Sequence, residues 1–165
     1  ADLGTGSGAI ALALASEREH WVVTAVDSSA AALGVAAANA RRLDIANVEF
    51  VGSDWFAALD AERFDAIVSN PPYVADCDPH LDEGDVRFEP RAALVAGADG
   101  LSAIREIISA APGHLVPGGW LLLEHGAQQG EAVRGLLAAA GFAGINTRDD
   151  LAGLPRITGG CIDAG

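Results

Sequence analysis

The sequence contains no lysine, no methionine, one tyrosine and only two cysteines among its 165 residues. Cys77 and Cys161 match neither the spacing of a metal site nor that of a redox pair, which favours a reducing, cytoplasmic environment. Long hydrophobic runs are missing too, because residues 9–15 and 120–123 are the longest and a membrane-spanning helix needs roughly 20 apolar residues. No signal-peptide pattern is present. The sequence therefore predicts neither a membrane-embedded protein nor a secreted one.

Positive charge is also scarce. Ten arginines stand against 23 acidic residues, which gives a formal net charge of −13. A domain that holds DNA or RNA by neutralising phosphates presents a basic face, so direct nucleic-acid binding is not expected. Half of the residues are hydrophobic, and a chain of this length buries about 70% of its unfolded surface. We expect residues 1–165 to form one folded domain.

Strand-like and helix-like segments alternate along the whole chain. Strands are predicted at 1–3, 21–26, 48–51, 64–69 and 120–124, with weaker ones around 145–148 and 157–162. Helices are predicted at 9–15, from Ser28 or Ser29 to about 43, at 101–111, and at 133–140 with Gly141 ending the last. This alternation predicts an α/β fold with a doubly wound, mostly parallel sheet covered by helices on both faces.

Two regions depart from this pattern. Residues 1–3 give only the end of a strand, which predicts that the chain is a fragment beginning within its first strand. The segment at about 71–100 has no periodicity and is long for a connection in a compact domain. Loops of that length are usually functional, so we expect an active-site loop there.

A glycine-rich turn, Gly4-Thr5-Gly6-Ser7-Gly8, connects the first strand to the first helix. Glycines permit a tight turn and let a ligand lie against the backbone. Asp27 ends the second strand about 20 residues further on, where a carboxylate can accept hydrogen bonds from both hydroxyls of an adenosine ribose. Together these two features predict a nucleoside cofactor.

The charges around the turn distinguish two candidate cofactors. A nicotinamide dinucleotide brings a pyrophosphate, which favours a helix N-terminus without carboxylates. S-adenosyl-L-methionine brings a sulfonium and an ammonium group, which favour nearby acid, and Asp2 stands two residues before the first glycine. Asp54 and Trp55 follow the third strand, where they could offer adenine a polar partner and an aromatic face. The sequence favours S-adenosyl-L-methionine.

Asn70-Pro71-Pro72-Tyr73 ends the fourth strand, at the edge of the sheet where open α/β domains bind ligands. The Asn70 side-chain oxygen and the Pro71 carbonyl can each accept one hydrogen of a planar NH₂ group. The prolines stiffen this arrangement, and the Tyr73 ring can cover one face of an amide or a base. The tetrapeptide predicts methyl transfer to a planar amine, with catalysis mainly by positioning.

The four histidines, His20, His80, His114 and His125, have no ligand spacing, and single histidines are more often packed or solvated than metal-bound. We expect no metal site.

Several motifs together resemble the class I methyltransferase domain of the PrmC (HemK) family, the protein-glutamine methyltransferases of peptide chain release factors. The resemblance covers essentially the whole chain. Its most diagnostic part is the loop sequence, because Asn-Pro-Pro-Tyr also occurs in unrelated amino methyltransferases. The motifs are Asp2-Leu3-Gly4-Thr5-Gly6-Ser7-Gly8, Ser53-Asp54-Trp55-Phe56, Ser69-Asn70-Pro71-Pro72-Tyr73-Val74, Asp78-Pro79-His80-Leu81, Gly84-Asp85-Val86-Arg87-Phe88-Glu89-Pro90 and Leu122-Leu123-Glu124-His125-Gly126.

The resemblance implies methyl transfer from S-adenosyl-L-methionine to the side-chain amide nitrogen of glutamine in the Gly-Gly-Gln loop of a release factor, leaving S-adenosyl-L-homocysteine. It implies that Gly4 to Gly8, Asp27, Trp55 and Asn70 bind the cofactor, and that Asn70 to Tyr73 bind the glutamine. The resemblance also implies an N-terminal helical domain that helps to dock the release factor, and we expect residues 1–165, as a fragment, not to include it.

Two other functions stay open at the level of the sequence. The first is methylation of the exocyclic amine of a base in DNA or RNA, which the scarcity of basic residues between Arg63 and Arg105 disfavours. The second is a noncatalytic module that only binds S-adenosyl-L-methionine, which an intact Asn70 and Tyr73 disfavour.

Overall fold

A computed structural model describes residues 1–60, 62–76 and 94–164. This part of the chain forms four α-helices and seven β-strands. In order they are β1 (Asp2–Leu3), α1 (Ala9–Glu17), β2 (Val23–Asp27), α2 (Ala30–Arg42), β3 (Val48–Gly52), β4 (Phe64–Ser69), α3 (Ser102–Ala110), β5 (Leu115–Glu124), α4 (Gly130–Ala139), β6 (Ala143–Asp149) and β7 (Pro155–Cys161).

The seven strands form one sheet in the order β3-β2-β1-β4-β5-β7-β6. Strands β1 to β5 pair in parallel, whereas β7 pairs antiparallel with both β5 and β6. The chain order reverses at β1, which lies between β2 and β4. A doubly wound, mostly parallel sheet is thus confirmed, with one antiparallel strand inserted near its far edge.

Neighbouring residues of β2 show that both faces of the sheet are covered. Ala25 packs with Ala11 and Ala15 of α1, whereas Val26 belongs to the larger cluster that contains Ile104 of α3. Successive side chains of a strand point to opposite faces. The helices therefore cover two apolar faces, as the alternating pattern predicted.

Strand β5 differs most from its prediction, because it begins at Leu115 and not at Trp120. Gly118 and Gly119 interrupt the apolar pattern that defined the expected strand. Backbone pairing continues through them nonetheless, since the Gly118 N–H donates to the Ile162 carbonyl at 3.0 Å. An irregular register with β4 between Phe64 and Ala66 accommodates this segment.

Helix boundaries follow the local chemistry of their ends. Ser29 caps α2, since its hydroxyl oxygen accepts a hydrogen bond from the Ala32 N–H at 3.2 Å. Gly141 follows α4 in a left-handed conformation, with φ of 85°, as a glycine after a helix end often does. Of the helices in the described ranges, none is both long and apolar enough to cross a membrane.

Candidate active site

Three strand ends meet at the carboxyl edge of the sheet. Leu3 of β1 is in register with Val26 of β2 on one side and with Ser69 of β4 on the other. Three features therefore lie side by side at this edge: the glycine turn after β1, Asp27 at the end of β2, and Asn70 after β4. The sheet order brings together the features that the sequence singled out separately.

The glycine turn is fastened to the end of β2. The Thr5 N–H donates to the Val26 carbonyl at 2.8 Å, and the Gly6 N–H donates to Asp27 Oδ2 at 2.9 Å. Gly6 has a left-handed backbone, with φ of 57°, and a methyl group there would have no heavy atom within 4 Å. A glycine at this position thus permits the left-handed backbone and leaves open space in which a ligand can lie.

Asp2 is buried beside this turn, with 1% of its surface exposed. Its Oδ2 accepts hydrogen bonds from the Thr5 hydroxyl at 2.6 Å and the Ala11 N–H at 3.0 Å. Because Gly8, at the N-cap of α1, has no side chain, Asp2 caps that helix from the neighbouring strand. Its other oxygen, Oδ1, is buried without a hydrogen-bond donor among the residues that the structure describes.

Burial raises the pKa of Asp2, and the carboxylate of Asp27 contributes in the same direction. A buried acceptor without a donor costs free energy until something pairs with it. A cationic N–H donor would supply the missing hydrogen bond and an opposite charge. An acid buried beneath the glycine turn suits a cationic cofactor such as S-adenosyl-L-methionine better than one that brings a pyrophosphate.

Asp27 uses both carboxylate oxygens locally. Oδ2 accepts from Gly6, and Oδ1 accepts from the Ser29 N–H at 2.8 Å. Each oxygen keeps further lone pairs, and the residue is partly exposed. These bonds orient the carboxylate at the end of β2, where the ribose interaction was predicted.

The Trp55 ring lies over the glycine turn. A methyl group at Gly4 would lie 3.4 Å from this ring. Trp55 also packs partly against the main core cluster, and its backbone is left-handed with φ of 43°. A bulky residue rarely adopts this conformation, which is concentrated at functional sites. Asp54 is exposed next to it.

The Asn70 to Tyr73 segment leaves β4 at the same edge. Asn70 is exposed, and within the described ranges its amide makes no hydrogen bond, whereas Pro71 is buried. The half-buried Tyr73 donates its hydroxyl to Glu124 Oε1 at 3.4 Å. Burial, followed by the charge of Glu124, raises the pKa of Tyr73. The tyrosine ring is thus neutral and held against β5.

The expected loop at 71–100 is described only at its two ends, which pair with each other. The Val74 N–H donates to the Leu94 carbonyl at 2.8 Å, and the Ala96 N–H donates to the Val74 carbonyl at 2.9 Å. The loop motifs at 78–81 and 84–90, together with Cys77 and His80, lie outside the described residues. The paired ends of this segment, Val74 and residues 94–96, lie directly beyond the Asn70 to Tyr73 segment.

His114 and His125 are packing residues in the structure. The His114 ring stacks on Phe56 with 4.5 Å between ring centroids, and His125 is fully buried with both ring nitrogens hydrogen-bonded. No group of three or more potential metal ligands comes together within the described ranges.

A cavity of about 860 Å³ lies at the opposite edge of the sheet. It is lined by the first residues of β2 and β4, including Val23, Thr24, Phe64 and Asp65. It shares no residue with the glycine turn or the Asn70 to Tyr73 segment.

The sequence predicts no separate role for two residues of this region, Gln129 and Glu124. Glu124 belongs to the motif 122–126. Gln129 lies 56 positions from Tyr73 in the chain and donates its side-chain amide to the Tyr73 carbonyl at 3.0 Å. A contact of this kind has no periodicity or spacing that a single sequence could display.

Comparison with known proteins agrees with this geometry. Residues 1–84 match the family model described as "Methyltransferase small domain". The chain belongs to this family. Its fold is accordingly that of the class I, S-adenosylmethionine-dependent methyltransferases, with a Rossmann-like sheet.

Three curated relatives share one name. The release factor glutamine methyltransferase of Pseudomonas aeruginosa is 62% identical over 157 residues, covering 95% of this chain and 57% of the relative. The proteins of the same name from Xylella fastidiosa (strain Temecula1) and Escherichia coli are 57% and 52% identical over 97% and 95% of this chain. The chain spans 58% and 57% of the length of those two relatives.

Solved structures support the fold. A ribosomal protein L11 methylase from Lactobacillus delbrueckii has a TM-score of 0.71 at 20% identity, covering 98% of this chain and 68% of its own. A Thermus thermophilus 16S rRNA methyltransferase has a TM-score of 0.71 at 22% identity, covering 98% of this chain and 36% of its own. At these identities the likeness concerns architecture alone.

Proposed function

We propose that this domain transfers a methyl group from S-adenosyl-L-methionine to the side-chain amide nitrogen of the glutamine in the Gly-Gly-Gln motif of peptide chain release factors. The observation that carries the proposal is the position of Asn70 to Tyr73, next to the glycine turn, in a chain 52–62% identical to release factor glutamine methyltransferases. The partner is then a protein of translation termination, and the expected location is the cytoplasm.

In this proposal the acidic side chains and the glycine turn bind different parts of the cofactor. When bound, S-adenosyl-L-methionine supplies an electrophilic methyl group on a sulfonium that is already a good leaving group. Asp2 accepts from the amino group and Asp27 from the ribose hydroxyls. The Trp55 ring and Asp54 lie at the adenine. The unusual backbone of Trp55 supports a role beyond ordinary packing.

Asn70 and Pro71 orient the glutamine amide. The Asn70 side-chain oxygen and the Pro71 carbonyl each accept one amide hydrogen, so the nitrogen presents its remaining electron pair to the methyl carbon. With S-adenosyl-L-methionine bound, the nitrogen held by Asn70 and Pro71 would take the methyl group as its bond to sulfur breaks, which would release S-adenosyl-L-homocysteine, and the nitrogen would then lose a proton to solvent. Holding the two reacting atoms in line can account for roughly 7–11 kcal/mol of the barrier.

This mechanism needs neither a general base nor a metal from the protein. The neutral Tyr73 covers one face of the planar amide, and its contact with Glu124 keeps the ring in place. The exposed amide of Asn70 is accessible to a substrate that enters from solvent. The site thus suits a glutamine presented on a protein loop.

The test is methylation of a release factor by this chain, with labelled S-adenosyl-L-methionine and the Pseudomonas aeruginosa relative as a positive control. We expect label in the wild-type release factor and none in a variant whose Gly-Gly-Gln glutamine is replaced. A DNA and an RNA oligonucleotide are assayed in parallel. Labelling of an oligonucleotide alone would assign the site to nucleobases, and cofactor binding without labelling of any substrate would assign it to a binding module.

A further inference from the structure

The side-chain amide of Gln129 joins three separate backbone segments. Its Nε2 donates to the carbonyl of Tyr73 at 3.0 Å and to the carbonyl of Asp99 at 3.2 Å. Its Oε1 accepts from the Gly126 N–H at 2.8 Å. One amide therefore connects the end of the Asn70 to Tyr73 segment, the end of the loop before α3, and the turn after β5.

Gly100 leaves the space that this arrangement needs. Its backbone is left-handed with φ of 71°, and a methyl group on it would overlap the carbonyl oxygen of Tyr73. The same methyl group would lie 2.9 Å from Nε2 of Gln129. A side chain at position 100 would therefore displace either the tyrosine backbone or the glutamine amide.

The partly buried Gln129 is connected through its own backbone to buried residues of the sheet. It immediately precedes α4, and its N–H donates to the Gly126 carbonyl at 2.8 Å. The same carbonyl accepts from Nδ1 of the fully buried His125 at 2.9 Å. On its other side, His125 is hydrogen-bonded to the buried Thr158 at 2.7 Å.

The Asn70 to Tyr73 segment is consequently held at both ends. Before it, the Ser69 hydroxyl donates to the Leu3 carbonyl at 2.7 Å, which ties the end of β4 to β1. After it, Gln129 holds the Tyr73 carbonyl. The Asn70 oxygen and the Pro71 carbonyl, which are the proposed acceptors, lie between these two attachments.

We propose that Gln129 is a positioning residue for methyl transfer: it fixes the backbone of Tyr73 and so sets the geometry of the two acceptors that orient the substrate amide. The inference rests on the proposed function of this site. Gln129 acts through the backbone of the tetrapeptide and through the end of the loop. Its loss should affect turnover far more than cofactor binding, because its contacts lie on Tyr73, Asp99 and Gly126.

Gln129→Glu is the most informative variant. A carboxylate can still accept from the Gly126 N–H, but it has no hydrogen to donate to the carbonyls of Tyr73 and Asp99. Gln129→Met is the second variant, in case the charged variant folds poorly. Methionine has a similar length and no charge, and it also lacks the two donors. Gln128→Glu is the matched control, because Gln128 is the exposed neighbour in the same turn.

Two measurements are made on each variant. The first separates kcat for release-factor methylation from the affinity for S-adenosyl-L-methionine. Small misplacements of reacting groups reduce rates on the order of tenfold to a hundredfold, and we expect this loss in kcat for both Gln129 variants with cofactor affinity unchanged. The second uses the single tyrosine of the chain, since 3-fluorotyrosine labelling gives one ¹⁹F resonance that reports on Tyr73 alone.

The ¹⁹F resonance should shift or broaden in both Gln129 variants and stay in place in Gln128→Glu. Parent-like kcat together with an unmoved resonance would overturn the inference, and so would an equal loss of kcat, cofactor affinity and melting temperature. If the parent chain methylates no release factor, the proposed function fails. A resonance that still moves only in the Gln129 variants would then support the positioning of Tyr73 independently.

Discussion

The unpaired carboxylate oxygen of Asp2 gives the most specific prediction about cofactor binding. In Asp2→Asn, the amide oxygen can still accept from the Thr5 hydroxyl and the Ala11 N–H, so the cap of α1 is kept. The amide NH₂ then takes the place of Oδ1, which has no donor in the described part of the chain. The substitution thus exchanges an unpaired carboxylate oxygen for a neutral donor.

The expected loss follows from the bond that the variant can no longer make. A hydrogen bond to a charged group contributes about 1.5–3 kcal/mol. Since about 1.4 kcal/mol corresponds to a tenfold change in affinity, Asp2→Asn should bind S-adenosyl-L-methionine about 10- to 150-fold more weakly. Burial of Asp2 excludes the water that would otherwise screen this interaction.

Isothermal titration calorimetry with two ligands makes the prediction specific. 5′-Methylthioadenosine has the adenosine part of the cofactor and lacks its amino-acid part, so its affinity should be the same for Asp2→Asn and the parent chain. Asp44→Asn is the matched control, because Asp44 is exposed just beyond α2. Equal weakening of both ligands, or unchanged affinity for S-adenosyl-L-methionine, would refute the assignment of Asp2 to the amino group.

Three further outcomes are expected. In the same calorimetry, Asp27→Ala should weaken the binding of both S-adenosyl-L-methionine and 5′-methylthioadenosine by about 1–3 kcal/mol, because both ligands carry the ribose. Asn70→Asp should lower kcat in the labelled-methyl assay while cofactor affinity is kept or raised, since the added charge stabilises the sulfonium, whose charge disappears in the transition state. Burial raises the pKa of Asp2 above that of an unfolded aspartate, so the folded chain resists ionisation of this residue. The folded state therefore loses stability as the pH rises above the ordinary pKa of aspartate. Urea unfolding should therefore show Asp2→Asn gaining stability relative to the parent chain with increasing pH, and a pH-independent difference would contradict this linkage.

Local features of the sequence were sufficient for much of the fold. Strand-to-helix alternation predicted the doubly wound sheet, Ser29 was one of two candidate caps, and Gly141 was expected at the end of the last helix. The pattern failed at β5, where Gly118 and Gly119 interrupt the apolar run but not the backbone pairing. Hydrogen bonds between backbones do not require apolar side chains, so periodicity alone placed the strand start too late.

The sequence by itself determined which chemical groups end the strands: the glycine turn after β1, Asp27 at the end of β2, and Asn70 to Tyr73 after β4. Only the tertiary structure decided that β1 lies between β2 and β4, which brings these ends together. It also decided that Asp27 accepts from Gly6 and that Gln129 holds Tyr73. A motif consists of residues that are close together along the chain, so it can be recognised in the sequence. Contacts between distant residues depend on strand order, on packing and on clearance such as that at Gly100, and these exist only once the chain has folded.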